Sequence, residues 1–310
     1  MPHRSPLPPR HGLGAAWVRT PDRDPTRPLP WVTMRDFLVD KLGPLGATGV
    51  DRQLAAGGFV AADGRPWTGT EPCEPNTFVW FHRELRDEPV VPFTEVILHR
   101  DDRIVVVDKP HFLATTPRGK HVVQSLVVRL RQRLGLPELG PAHRLDRATA
   151  GVVLLTTARE WRGAYQGLFE ARAVTKTYRA IAGFDPVLSL PRRLGGHIVK
   201  RRGSLQAELV SGAPANADTW LELVERRGDW ADYRLTPRTG RTHQLRIQLN
   251  ALGLPILGDP LYPQISDVPI DDFSTPLRLL SESLAFTDPV DGRTREFVSQ
   301  RTLDWPQGSD

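Results

Sequence analysis

Cysteine is almost absent from this chain: Cys73 stands alone among 310 residues. A single thiol can form neither an intrachain disulfide nor a cysteine-based zinc site, and it suits a reducing, cytoplasmic compartment. Long apolar runs are also missing. The longest, such as 151–156, fall far short of the roughly 18–20 residues that a membrane span needs, so no membrane association is expected. The N-terminal stretch is rich in Pro and Arg without an apolar segment, unlike a secretory signal. Nine histidines are scattered with no HExxH-like spacing, and neither GxxxxGK(S/T) nor GxGxxG occurs, so neither metal nor nucleotide cofactor is expected. There are no internal repeats. No spare amphipathic helix suggests a protein partner, and a monomer is the expectation.

What is present is enough to fold and to meet an anion. Hydrophobic residues make up 39% and charged residues 25%, which supports a packed core. The formal net charge is +5. This excess fits either a plain arginine-rich protein or one with a phosphate-bearing partner.

Three regions are expected. Residues 1–30 carry eight prolines and read as an extended or poorly ordered arm whose Arg4, Arg10, Arg19, Arg23 and Arg27 either touch phosphate or are simply solvated. Residues 31–90 read as a small unit: a helix over 32–42, a short helix over 51–56, and a hairpin turning at Asp63-Gly64. Residues 91–310 form the main domain. Apolar β-branched runs at 95–99 and 103–108 predict a hairpin, and Val122, Leu126, Leu130 and Leu134 predict a helix over 122–134. Strands follow at 152–156, 176–182, 220–225, 232–236, 277–286 and 295–298, with helices at 159–171 and 242–252; a loop is expected from 183 to about 204. Strands in hairpin-like pairs with helices between them indicate an α+β fold, a mostly antiparallel mixed sheet flanked by helices, with a small N-terminal appendage.

Chemistry concentrates in three islands: 107–119, with Lys109-Pro110; 143–151, His-Arg-Leu-Asp-Arg-Ala-Thr-Ala-Gly; and 237–246, followed by 253–262. Asp146 lies between a loop and an apolar strand, with Arg144 and Arg147 beside it. A carboxylate so placed suits a nucleophile acting on a polyanion; its bland reading is a loop cap. Thr242 is the expected N-cap of the next helix, which would hold Arg241 on a rigid turn. There Arg241 either grips a carboxylate or makes a surface contact.

Together these islands, with Lys176-Thr177-Tyr178, resemble in order the motifs of the RluA-like family of pseudouridine synthases, over about residues 91–300. Residues 31–90 resemble a degenerate form of the small RNA-binding module that often precedes that domain. Three positions depart from the family pattern: Ala150 where Ser or Thr is usual, Ala114-Thr115-Thr116-Pro117 in place of a more apolar end to the first island, and Gln248 where His is common.

The resemblance implies an enzyme that isomerises uridines to pseudouridine in structured ribosomal or transfer RNA, without cofactor or metal. The base is flipped out of the stack, its N-glycosidic bond is broken, and it is rejoined through carbon. By the same resemblance Asp146, Tyr178 and Arg241 are catalytic. Asp146 attacks or deprotonates the sugar, Arg241 pairs with Asp146, and Tyr178 lies against the uracil and serves the final proton removal. Arg144 would stack in place of the flipped base, and Leu245 would floor the pocket. Lys109, Arg147, Arg118 and the 200–202 run (Lys-Arg-Arg) would contact phosphate. His143 is expected to orient the loop. Two other classes stay open: a catalytically silent RNA-binding assembly factor, and a hydrolase that would need a second acid.

Overall fold

The computed structural model describes residues 5–85, 87–119 and 121–308. The chain divides into two compact units, 1–87 and 88–310.

In the first unit, β1 (Ala16–Arg19) precedes α1 (Met34–Lys41), α2 (Gly46–Ala55), β2 (Phe59–Val60) and β3 (Phe78–Phe81). Thr33 and Asp36 close a reciprocal capping box at the start of α1. The arm expected over 1–30 is therefore partly a strand. β1 pairs with β3, Trp17 opposite Trp80, because Ala16 and Val18 have an apolar cluster to cover, built on Met34, Phe37, Leu38 and Val79. Arg4 lies outside the described residues.

In the second unit, β4 (Val96–Arg100), β5 (Ile104–Lys109), α3 (Leu126–Leu134), β6 (Gly140–Pro141), β7 (Ala150–Thr156), α4 (Arg159–Glu170) and β8 (Val174–Gly183) come first. They are followed by β9 (Arg192–Val199), β10 (Glu208–Val210), β11 (Ala217–Arg227), β12 (Trp230–Pro237), α5 (Gln244–Ala251), β13 (Leu279–Thr287) and β14 (Thr294–Val298). All eleven strands share one sheet, in the order β10-β9-β11-β12-β8-β13-β7-β5-β4, with β14 on β13 and β6 on β7. Each pairing is antiparallel except β7 with β13. This is the α+β, mostly antiparallel architecture that the sequence pattern indicates.

The apolar alternation of β5 and β7 explains their central place. Val105, Val107, Val153 and Leu155 face α3, while Ile104, Val106, Val152 and Leu154 face α4. A separate core joins α5 to β8, β11, β12 and β13. Tyr178, Leu145 and Ala148 touch the seam between these cores, and Tyr178 packs on both.

Other elements differ from expectation too: α2 begins at Gly46, not 51, and β2 pairs with β3, not with a strand just after Asp63-Gly64. Helix α3 begins at Leu126, not Val122, because Ser125 is extended and the Val122, Val123 and Gln124 N–H groups donate to the Glu88 carboxylate. The expected loop 183–204 contains β9, which buries Leu194 and Ile198 and pairs with β11. Gly195-Gly196 and the flanking arginines mask its apolar alternation. No described helix is long and apolar enough to cross a membrane, and the described residues include no His/Cys/Asp/Glu group able to hold a metal.

The crossing of β7 and β13 depends on Gly151. Its φ is +111°, and a Cβ there would lie 2.2 Å from the Ser281 carbonyl oxygen. Gly151→Ala is expected to lower stability by several kcal/mol or prevent folding, about 3 kcal/mol being a minimum for a backbone clash with strained φ. Gly163→Ala, in α4 with open space around it, should be neutral or stabilising by about 0.5–1 kcal/mol. Denaturant midpoints of the two variants check the contrast.

Candidate active site

Asp146 sits on the loop that leads from β6 into β7, and side chains from the first island fix that loop. Thr115 Oγ1 donates to the Leu145 carbonyl (2.8 Å) and accepts from the Leu145 N–H. His111 Nδ1 donates to the Ala148 carbonyl at 2.7 Å. Lys109 Nζ donates to the Pro110 and Leu113 carbonyls (3.0 and 2.8 Å) and, at 3.4 Å, to that of Arg147. Thr115, a departure from the family pattern, is thus a loop anchor. Lys109 is fully buried, and burial pushes its ammonium down to about 7. The expected phosphate contact at Lys109 is corrected accordingly: its protons are committed to backbone carbonyls.

His143 also holds the loop. The Leu154 N–H donates to its Nε2, and its ring stacks on Phe169 with centroids 4.5 Å apart. Burial, with Lys176 adding, pushes His143 down to about 3.

The arginine against Asp146 is Arg246, not Arg241. Arg246 Nη1 lies 3.5 Å from Asp146 Oδ2. Its Nε and Nη2 bind Asp259 bidentately at 2.7 and 2.5 Å. The Arg246 side chain is 3% exposed, Asp259 is fully buried, and Asp146 is 35% exposed. Asp259 also accepts the Leu261 and Tyr262 N–H groups. Arg241 is exposed and donates from Nε to the Asn216 carbonyl. The reason lies in the turn. His243 takes a left-handed φ of +57° and precedes α5 where Thr242 was expected to cap it. The Gln244 Oε1 then accepts the Arg241 N–H and the Thr239 hydroxyl. That turn leaves Arg241 outside and carries Arg246 inward on the helix. His243 Nε2 lies 3.9 Å from Asp146 Oδ2.

These groups open into a cleft of about 980 Å³, lined also by Tyr178, Leu245, Arg144 and Arg147. Among the described lining residues nine are Arg or Lys against two carboxylates, Asp146 and Glu170. Burial pushes the Tyr178 hydroxyl up to about 12; a hydrogen bond with Ser281 opposes this and the Asp146 charge adds to it. Leu245 is buried, and Arg144 is exposed. Arg147 is half-buried, donates to the Ile270 carbonyl, and sits 5.7 Å from the Phe112 ring centroid. Gln248, where the family commonly has His, is satisfied in the core by Thr219 and the Leu194 carbonyl.

Such a site offers a clamped carboxylate, a tyrosine hydroxyl and an apolar floor within a cationic cleft. Residues 103–251 match the family profile described as RNA pseudouridylate synthase. The dual-specificity RNA pseudouridine synthase RluA of Pasteurella multocida is 31% identical over 229 residues, 68% of this chain and 93% of that protein. The mitochondrial tRNA pseudouridine(32) synthase of Saccharomyces cerevisiae is 30% identical, over 58% of this chain and 40% of that one. The solved structure of human RNA pseudouridylate synthase domain containing 1 superposes with a TM-score of 0.54 at 25% identity, covering 69% of this chain and 86% of the human one. The chain belongs to the RluA-like family of RNA pseudouridine synthases.

The two half-buried histidines give a pH prediction. His143 and His111 are held near 3 and 4, chiefly by burial, against an ordinary 6.5. Both are neutral in the native state and take up protons on unfolding in acid. Their contribution is therefore present above about 6.5 and lost as pH falls toward 4 and then 3, at up to about 1.4 kcal/mol per pH unit for each histidine. His143→Gln should flatten the acid side of the stability profile, read from urea midpoints against pH. An unchanged slope would refute the assignment.

Proposed function

We propose that this enzyme isomerises specific uridines in structured RNA, ribosomal or transfer, with Asp146 as the group that acts on the sugar. The observation that carries this reading is Asp146 itself: partly exposed, clamped by Arg246, and set in a cleft whose lining is overwhelmingly cationic. The cleft cations draw in the RNA backbone, and the flipped uridine enters between Asp146, Tyr178 and Leu245. Arg144 fills the vacated place in the stack.

The reaction is an internal transfer. The N1–C1′ bond breaks, the uracil turns, C5 bonds to C1′, and the C5 proton is lost while N1 gains one. Atoms and electrons balance without any co-reactant. Asp146 supplies the carboxylate that attacks or deprotonates the sugar, and Tyr178 lies beside the base for the C5 proton step. Arg246 takes the role the sequence motif suggests for Arg241. Arg241, Arg118 and Lys200, all on the cleft lining, serve as phosphate contacts, and residues 1–87 add an RNA-contacting appendage. The yeast relative's name specifies a transfer RNA and the bacterial relative's name a dual specificity; both accord with a structured RNA substrate.

Pseudouridine mapping of total RNA from cells with and without the gene should lose one or a few sites. Wild-type protein restores them and Asp146→Asn does not; an unchanged map would favour a silent RNA binder. In vitro, Asp146→Asn should lower turnover roughly 10³-fold or more while RNA affinity survives. Arg246→Gln should lower kcat of the folded protein and, by leaving buried Asp259 without its bidentate partner, also lower stability by about 3–5 kcal/mol. Arg241→Ala should mainly weaken RNA binding and reduce the salt slope by about 1. If Arg241→Ala proved as damaging to kcat as Arg246→Gln, the roles given to the two arginines would be wrong.

A further inference from the structure

Tyr262 lies behind the cleft, 4% exposed, and its hydroxyl is a three-way junction. It accepts the Ala207 N–H at 2.6 Å. It also lies 3.2 Å from the Ala207 carbonyl and 3.1 Å from His243 Nδ1. The ring stands edge-on to the His243 ring, with centroids 5.8 Å apart, and lies 5.4 Å from the Arg246 guanidinium. Tyr262 thus touches both groups that flank Asp146.

The hydroxyl has one proton and two acceptors for it. If the proton went to the Ala207 carbonyl, neutral His243 would carry its own proton on Nδ1. Its Nε2 lone pair would then face the Asp146 carboxylate at 3.9 Å, which is repulsive. If Tyr262 donates to Nδ1, His243 carries the proton on Nε2 and presents an N–H to Asp146. The carboxylate selects the second arrangement. A charged His243 is disfavoured by burial; Asp146 and Asp259 pull toward the charged form, and Arg246 and Lys200 push against it, with a net lowering from the ordinary value.

Ala207 ends the turn that joins β9 to β10. That turn carries Lys200, Ser204 and Leu205 on the cleft lining. Gln206 donates to the Leu261 carbonyl. Ile198, Ala207, Ile247 and Tyr262 pack in one small core. The basic hairpin at the cleft and the histidine beside Asp146 are thus joined through one hydroxyl.

We propose that Tyr262 is a positioning residue: its hydroxyl fixes His243 as the Nε2–H tautomer facing Asp146 and couples that arrangement to the basic hairpin. This deepens the reading of Asp146 as the reacting group and rests on it. The test uses the full chain and tritium release from C5-tritiated transfer and ribosomal RNA prepared from cells lacking the gene. Tyr262→Phe keeps the ring and removes the hydroxyl. Its kcat should fall roughly 10- to 100-fold, the range seen when the partner that orients a metal-bound histidine is removed, with KM little changed. The acid limb of kcat should move to higher pH, because His243 loses the donor that favours its neutral form.

His243→Gln restores an N–H toward Asp146 and should retain more activity than His243→Leu. Adding Tyr262→Phe to His243→Gln should cost little more. These histidine variants keep the test decisive if Tyr262→Phe folds poorly. Tyr262→Phe with wild-type kcat and pH profile, or with its loss confined to KM, would overturn the proposal. So would equal activity of His243→Gln and His243→Leu. Asp146→Asn serves as the separate control: if it still releases tritium, the reading of Asp146 fails and this inference with it, whereas an inactive Asp146→Asn beside a normal Tyr262→Phe refutes the tyrosine alone.

Discussion

Arg246 carries two carboxylates at once, and the geometry of the site follows from that. Asp259, fully buried, takes two guanidinium N–H groups and two backbone N–H groups. An arginine or aspartate left alone at such depth would cost about 3–5 kcal/mol, so the pair fixes α5 to the turn at 259–262. That turn is itself forced. Gly258 has φ +75°, and a Cβ there would meet the Pro276 carbonyl oxygen at 2.4 Å. With its bidentate face committed, Arg246 has Nη1 left for Asp146. A shared arginine of this kind holds the second carboxylate in place without burying it, which leaves Asp146 open to a substrate.

The other half of the constraint acts on the backbone. Asp146 itself makes few contacts, but the carbonyls of Leu145, Arg147 and Ala148 around it are each held by a side chain from the end of β5 or the stretch after it. Two of those side chains are titratable groups that burial pushes toward neutrality, Lys109 to about 7 and His111 to about 4. Both donate to carbonyls of the loop and its flank, and so tie the backbone around Asp146. The stretch thus decides where Asp146 can be.

The legible parts of the sequence were those where one periodicity dominates. β5 and β7 are unbroken apolar runs, α3 and α4 have clear faces, and their packing on opposite sides of the sheet follows from alternation. β9 was hidden because its two inward residues, Leu194 and Ile198, are separated by Gly195 and Gly196. In the site, the motif singles out Asp146, Tyr178 and Leu245, which line one cleft, but not which arginine reaches the carboxylate. Arg241 and Arg246 are five residues apart, and the choice rests on one left-handed residue, His243, that no pattern announced. A signal is present in Asp259: a lone acid between Gly258 and Pro260, in an apolar stretch, needs a buried cation, and Arg246 lies one helical turn before inward-facing Leu249. Tyr262 and His243 lie in the same island, but no spacing rule brings residues 19 apart into the direct contact they make.

The cleft opens where the core against α3 meets the core against α5, and that location has an electrostatic consequence. A carboxylate that must work on a polyanion is repelled by its own substrate unless cations stand between them. At the seam, the loop before β7, the start of β8, the turn after β9 and the end of β12 all bring Arg or Lys to one opening. A site on a single helix or strand could not place that many cations around one acid, because neighbouring side chains on a strand point to opposite faces. The seam collects them from separate elements while the cores behind it supply Leu245 and Tyr178 as an apolar wall. The same arrangement admits a phosphate backbone along the rim and a bare base at the centre, which is the division of labour an RNA-modifying site requires.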